Sequence, residues 1–365
     1  MKVKSFQIRT VLLMLFSVMT LVLFNNCASD DKSTTTDVES SLLELDSKLI
    51  EQMYFPTTND NLWVGVSPLT LGWKTAKINE LKSFLDKNNS TGFIVLYNGR
   101  IAIETYWRGW DRNSSGPVAS VGKSYVSLMI GKLSDQGKIN INNTVSSYIG
   151  DNWSNSSLSN ERIVTVKDLL SMTSGLNDLR FKKYQPGSAW EYSRSYKALY
   201  EVIAAVTGQD SIQDFYNLYG NSIGVKSTSI GTQKDFSSST RDMARIGLML
   251  LNNGQWNANS IVSKNYVSTA ISSSQTYNKS YGLLFWLNGK ESHMFPKDPT
   301  VYSGSLATEA PGDMFAAMGY EERRIYVVPS RKLVIIRQGD ATTYDPQLAA
   351  SAFDRELWSR IMQIF

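Results

Sequence analysis

The chain is poor in the two residues that most often build disulfides and transition-metal sites: it has one cysteine and one histidine in 365 residues. An internal disulfide is excluded, and a Cys/His metal site is nearly so. Any mechanism with a histidine base has only His293 to use. Charge of one sign is scarce as well. The 37 Lys and Arg against 33 Asp and Glu leave a formal net charge of +4, spread along the sequence. No basic block is dense enough for nucleic-acid binding, and the acidic residues do not cluster as metal ligands do. Internal repeats are absent, as is a G-x-S-x-G nucleophile elbow. A Ser-His-Asp triad would need His293, and "NGKESHMFPKD" around it reads as a polar, loop-like stretch with a surface histidine. What remains is ordinary globular composition, 42% hydrophobic and 19% charged, in a chain long enough for a sizeable core.

One long apolar run is present, and it is short for a membrane span. Lys2, Lys4 and Arg9 precede "VLLMLFSVMTLVLF", Val11 to Phe24, which has the length of a signal-peptide core. The only cysteine follows at once in "LFNNCASDDKS". A cysteine in that place is where bacterial lipoproteins are cut and acylated. An ordinary secretory signal is the alternative, and Asn26 stands where a small residue is usual. The expectation is a lipoprotein signal over 1–26, lipidation at Cys27, a polar tether and extension over 27–60, and a folded domain over 61–365. Such a protein is exported and anchored to a bacterial membrane, at the periplasmic face or the cell surface.

Strand signals lie near both ends of the domain. "GFIVLYNGRIAIETYW" reads as a hairpin turning at Asn98-Gly99, and "RRIYVVPSRKLVIIRQG" as a second turning at 329–332. Helical periodicity fills the rest: "AKINELKSFLDK" over 76–87, "VTVKDLLSMTSGL" stopped at Gly175, 195–208 with Ser195 as N-cap, and 239–254 between Ser239 and Gly254. "PQLAASAFDRELWSRIMQIF" makes a final helix. The pattern predicts an α+β fold, an antiparallel sheet flanked by helices with a helical subdomain inserted between its strands. "GDNWSNSSLSNE" reads as a surface loop.

The stretch "PVASVGKSYVSLMIGKL" contains Gly122-Lys123-Ser124, the end of a phosphate-loop pattern. Such a loop needs a glycine at 117, so that backbone amides can turn around the phosphates. Pro117 occupies that position, with no amide hydrogen and a fixed φ, so a nucleotide site is excluded. Val121, Tyr125, Leu128, Met129 and Leu133 line one side of a helix that starts at Ser120. Lys123 then projects one turn from Ser120 on the same face. A serine nucleophile needs a neighbour to take its proton. Lys123 can do so as a neutral amine, and both burial and the positive end of the helix dipole are expected to push its pKa down. Free amides at a helix start also stabilise an oxyanion.

These residues, with "VTVKDLLSMTSGL", "PGSAWEYSRS", "STRDMARIGLMLL", "YGLLFW" and "MFAAMGYEERRIYVVPSRKLVIIRQG" in that order, resemble the serine beta-lactamase and penicillin-binding-protein superfamily over about 71–364. The class C-like branch is the nearest match, which includes esterases and 6-aminohexanoate-dimer hydrolase. The resemblance implies Ser120 as nucleophile, Lys123 as its proton partner and Tyr192 as a proton shuttle. Arg194 stands where the family's Tyr-x-Asn has Asn. Ala317-Met318-Gly319 stands where classical members have Lys-Thr-Gly, so the cation that holds a substrate carboxylate is missing; Arg194, Arg323 and Arg324 are the candidates to replace it. Gly319 and the amide of Tyr320, with Ser120, are the expected oxyanion and substrate contacts, and Trp190 and Trp286 line the cleft. The implied function is a serine hydrolase acting through an acyl-enzyme on a small ester, amide or peptide, without metal, cofactor, nucleotide or nucleic acid. The alternatives are beta-lactamase or D-Ala-D-Ala carboxypeptidase activity, or a non-catalytic surface lipoprotein that keeps the fold for binding.

Overall fold

Asn98 and Gly99 both adopt left-handed φ angles, 48° and 86°, as a two-residue type I′ turn requires. They join β1 (Ser90–Tyr97) to β2 (Arg100–Tyr106). This computed structural model describes residues 48–344, 350 and 352–365; the leader, Cys27 and most of the tether lie outside the described residues. The chain divides into two units, 1–52 and 53–365, and everything below concerns the second. Residues 53–60, expected in the extension, fall within it: Phe55 packs edge-on against Trp256 at 5.2 Å.

Four more strands complete the main sheet: β3 (Trp286–Leu287), β4 (Phe315–Gly319), β5 (Arg323–Val328) and β6 (Leu333–Gly339). The order is β2-β1-β6-β5-β4-β3, and every neighbouring pair is antiparallel. β5 and β6 form the second hairpin that the sequence predicts. The first and last strands are neighbours, with Ile94 opposite Ile336.

Helices cover both faces of this sheet. Successive strand residues point to opposite sides, and Ile325 and Tyr326 show the consequence. Ile325 faces α4 (Thr240–Leu251), where a side-chain carbon on Gly247 would lie 3.1 Å from Ile325 and 2.4 Å from Val334. Tyr326 faces α5 (Ala352–Met362) and meets Trp358 at 5.3 Å. The helix α1 (Thr75–Lys87) joins α5 through Phe84 stacked on Phe353 at 5.4 Å. Between β2 and β3 the chain makes the helical insertion, with α2 (Val121–Asp135) and α3 (Ala198–Thr207) as its longest members outside α4.

Every residue of α2 from Val121 to Gly131 is buried, the state of a central helix with no solvent face. Its two glycines are close-packing points. A Cβ on Gly122 would stand 2.7 Å from the Phe236 ring, and one on Gly131 would stand 2.4 Å from Tyr266. The glycine of Gly-Lys-Ser thus admits an aromatic neighbour.

Three local expectations change. The segment after Val164 gives only a short helix, Val166–Leu170, fixed by a reciprocal Thr165–Asp168 capping box, and the chain turns away where Met172 takes φ 60°. Ser195 is not an N-cap: it lies inside a 3₁₀ turn, Arg194–Lys197, capped by Ser193, whose hydroxyl accepts from the Ser195 amide. His293 is not on the surface. It is buried in the strand Ser292–Phe295, with Nδ1 2.9 Å from the Gly304 carbonyl oxygen and its ring stacked on Tyr302 at 5.6 Å.

Candidate active site

The backbone breaks its regular course just before α2. Ala119 takes φ 50°, a left-handed conformation that costs a residue with a Cβ about 1–2 kcal/mol. Ser120 follows at the N-cap position, where the first amides of a helix have no intrahelical acceptor. Lys123 lies one turn on, and its Nζ donates to Ser120 Oγ at 2.8 Å.

Two aromatic rings flank that amine. Nζ lies 4.7 Å from the centre of the Tyr192 ring and 4.6 Å from that of Tyr196, both within cation–π range. Burial is the largest single influence on Lys123 and pushes its pKa down. The phenols of Tyr192 and Tyr196 outweigh it, Tyr192 also through a hydrogen bond, and the pKa ends above the ordinary lysine value. The direction is opposite to the sequence expectation, which included burial and the helix dipole and omitted two phenols from a distant segment. A raised pKa favours the charged amine. Burial pushes the Tyr196 phenol up, against the opposing pull of Lys123.

Tyr192 belongs to an aromatic group. Its ring centre lies 6.0 Å from Trp190, 6.1 Å from Tyr281 and 6.0 Å from Trp286. Trp190, expected at the substrate, is buried and packs edge-on against Tyr281 and Trp286. It props Tyr192 in place.

The end of β4 closes on the start of α2. A Cβ on Gly319 would lie 2.4 Å from the Val118 carbonyl oxygen and 3.3 Å from the Ser120 amide nitrogen. No larger residue allows this approach. Tyr320 follows Gly319 at this end of β4 and is exposed. The Gly319 carbonyl accepts from the Arg324 guanidinium, and Arg324 donates to both oxygens of Asp354 at 2.8 and 2.9 Å. Arg324 is fully buried in that pair, and Arg323 pairs with Glu321. Neither is available to hold a substrate carboxylate, which corrects that expectation. Arg194 is exposed, and its backbone amide donates to Asp178 at 2.8 Å.

The geometry yields a direct expectation. Gly319→Ala forces the 118–120 backbone away from the end of β4. Such overpacking is expected to cost about 1–3 kcal/mol. Thermal melting followed by circular dichroism checks it; an unchanged melting temperature means that the two segments part without cost.

Tyr196, Ala119 and Asp354 were not among the sequence candidates, and Arg324 was expected at a substrate rather than in a buried pair. Tyr192 and Tyr196 come from opposite sides of the extended Ser193, so no helical spacing marked Tyr196. Ala119 and Asp354 had no signal either.

The beta-lactamase family model matches residues 82–337. An uncharacterised protein of Alkalihalophilus pseudofirmus is 22% identical over 302 residues, 71% of this chain and 86% of that protein. A candidate beta-lactamase from Bacteroides dorei shares the fold with a TM-score of 0.65 and 15% identity, covering 80% of this chain and 99% of that one. A candidate 6-aminohexanoate-dimer hydrolase from Bacillus anthracis does so with a TM-score of 0.62 and 17% identity, covering 88% and 92%. With the family model spanning well over half its length, from α1 through β6, this chain belongs to the beta-lactamase family.

Proposed function

We propose that the protein is a serine hydrolase that cleaves an ester or amide through an acyl-enzyme on Ser120. The observation that carries this reading is the 2.8 Å contact between Lys123 Nζ and Ser120 Oγ, with both tyrosine rings against the same amine. Because the raised pKa of Lys123 favours its charged form, the reactive form of the Lys123–Tyr192 pair has one proton fewer, and the neutral Lys123 amine is then the acceptor 2.8 Å from Oγ.

In acylation, Oγ bonds to the substrate carbonyl carbon and its proton passes to the pair. The amides of Ser120 and Tyr320 hold the oxyanion. The oxyanion collapses, the C–O or C–N bond to the leaving group breaks, and the leaving group takes the proton back from the pair. Water then attacks the acyl carbon, gives its proton to the pair and releases Oγ, which recovers it. Ala317 in place of a cationic residue favours an esterase or amidase over a beta-lactamase or carboxypeptidase. On the same reading the enzyme works outside the cytoplasm, tethered through a lipid on Cys27.

The test is labelling with a fluorophosphonate probe, followed by intact mass, together with the pH profile of ester hydrolysis. One adduct on the wild type and none on Ser120→Ala supports the reading; a silent wild type favours a binding protein. Because the Lys123 pKa is raised, the deprotonated pair grows with pH. In the free enzyme kcat/KM should climb about tenfold per pH unit from neutrality upward, with no plateau in the histidine range. A flat profile contradicts the proton pair.

A further inference from the structure

Lys123 is a buried cation that lacks an ion-pair partner. Its side chain is almost wholly enclosed, and Ser120 Oγ takes one of its three donors. Among the described residues no carboxylate pairs with it; Asp235 acts on it from a distance and less than either phenol. A buried charge without such compensation is expensive. The faces of two rings stand where a counter-charge would, Tyr192 at 4.7 Å and Tyr196 at 4.6 Å from Nζ. In the acyl-enzyme scheme Tyr192 shares a proton with Lys123, and Tyr196 has no part.

Tyr196 is nonetheless held as firmly as a working residue. Its side chain is buried, and burial keeps its phenol neutral, so what it offers the amine is the face of its ring. The 3₁₀ turn that carries it is clamped at both ends. Ser193 Oγ lies 2.6 Å from Ser195 Oγ, which lies 3.1 Å from Ser174 Oγ, and all three serines are buried. Ser174 Oγ also accepts from the Leu176 amide at 3.3 Å. At the other end of the turn Lys197 pairs with Asp235 at 3.3 Å. The remaining ionisable groups around the pair are Tyr281, which acts on both phenols, and Arg194, which acts on Tyr196.

We propose that Tyr196 is a positioning residue of the hydrolytic reaction, whose ring face, together with that of Tyr192, holds the Lys123 amine against Ser120 Oγ. This deepens the hydrolase reading above and rests on it. The ring favours the charged amine, whereas burial disfavours it. Taking the ring away therefore leaves burial less opposed, and the amine loses its proton at lower pH.

The test follows the Lys123 amine itself and, separately, turnover. The ¹³Cε signal of Lys123 in lysine-labelled protein, assigned by its loss in Lys123→Met, reports the protonation of the amine as pH is raised. In Tyr196→Leu its midpoint should fall by about one pH unit, the size of a desolvated cation–π contact. Tyr196→Phe keeps the ring face and should stay within a few tenths of a unit of the wild type. With a chromogenic ester, the rising limb of kcat/KM against pH should move down by the same interval in Tyr196→Leu. Its upper end should fall about tenfold or more, because the amine is less well placed. A residue that only fills space would lower the melting temperature and leave the midpoint and the limb where they are, which overturns the proposal. Should Tyr196→Leu not fold, phenylalanine and 3,4,5-trifluorophenylalanine installed at 196 make the comparison at nearly constant volume. Fluorine drains the ring face of charge, so the fluorinated ring should give the lower midpoint; equal midpoints overturn the proposal. If the midpoint moves as stated while the wild type cleaves no ester, the hydrolase reading fails and the contact with the amine stands. If the ester is cleaved and the midpoint stays, the contact fails and the hydrolase reading stands.

Discussion

Replacing Lys123 by methionine is expected to lower kcat/KM for an activated ester by about 10³-fold or more while leaving the fold intact. The loss follows from the role of the pair. Without the amine, Oγ has no partner at 2.8 Å, and a positioned proton acceptor is worth about 10²- to 10⁴-fold. The fold should tolerate the change because methionine reproduces the unbranched stem, and its thioether sits well against aromatic rings such as those of Tyr192 and Tyr196. Melting should therefore move by only a few degrees. Ser120→Ala should be as damaging, and the Ser120→Ala/Lys123→Met double variant little worse than either alone, because the two side chains act in one step and such effects do not add. Additive losses would mean that serine and lysine serve separate functions. Circular dichroism melting and kinetics on the same preparations decide between these outcomes.

The largest expected effect on stability comes from the other side of the sheet, in Asp354→Ala. Asp354 is fully buried and holds Arg324 through two guanidinium nitrogens, Nε and Nη2, with the Tyr326 hydroxyl as a third donor. Burial works against the charge on Arg324, and the Asp354 carboxylate more than offsets it, holding the guanidinium's pKa above its usual value. Removing the carboxylate leaves a buried cation without its counter-charge, which costs about 3–5 kcal/mol. The melting temperature should drop on the order of 10 °C. The damage should reach the site as well, because the same guanidinium donates to the Gly319 carbonyl. Arg324→Met in the Asp354→Ala background should recover much of the melting temperature, since an apolar replacement of a whole buried pair is often neutral. It should not recover the hydrolysis rate, since Gly319 still lacks its donor. Recovery of both would show that Arg324 has no part in placing the end of β4.

The parts of this molecule that could be read from sequence are those fixed by short-range geometry. Ser120 and Lys123 meet because residues three apart on a helix face one another. The turn at Asn98-Gly99 is dictated by its own two residues, and the cap at Ser239 by the Asp242 amide three positions on. What stayed hidden depends on neighbours far along the chain. Gly122 is small because of Phe236, and Gly247 because of Val334. The direction of the Lys123 shift depends on two rings from the segment 192–196. His293 looked exposed among polar residues, yet a hairpin strand and the Gly304 carbonyl enclose it. Helix propensity overestimated the segment after Val164, where the capping box fixes a start and the backbone at Met172 imposes an early end.

The pairing of β1 with β6 has a consequence for how the molecule is made. An early hairpin, 90–106, has one edge that stays unmatched until 333–339 have left the ribosome. Contacts so remote in sequence form late and slowly, and an unpaired strand edge is open to wrong partners in the meantime. The central sheet can thus close only once both ends of this domain are free to meet.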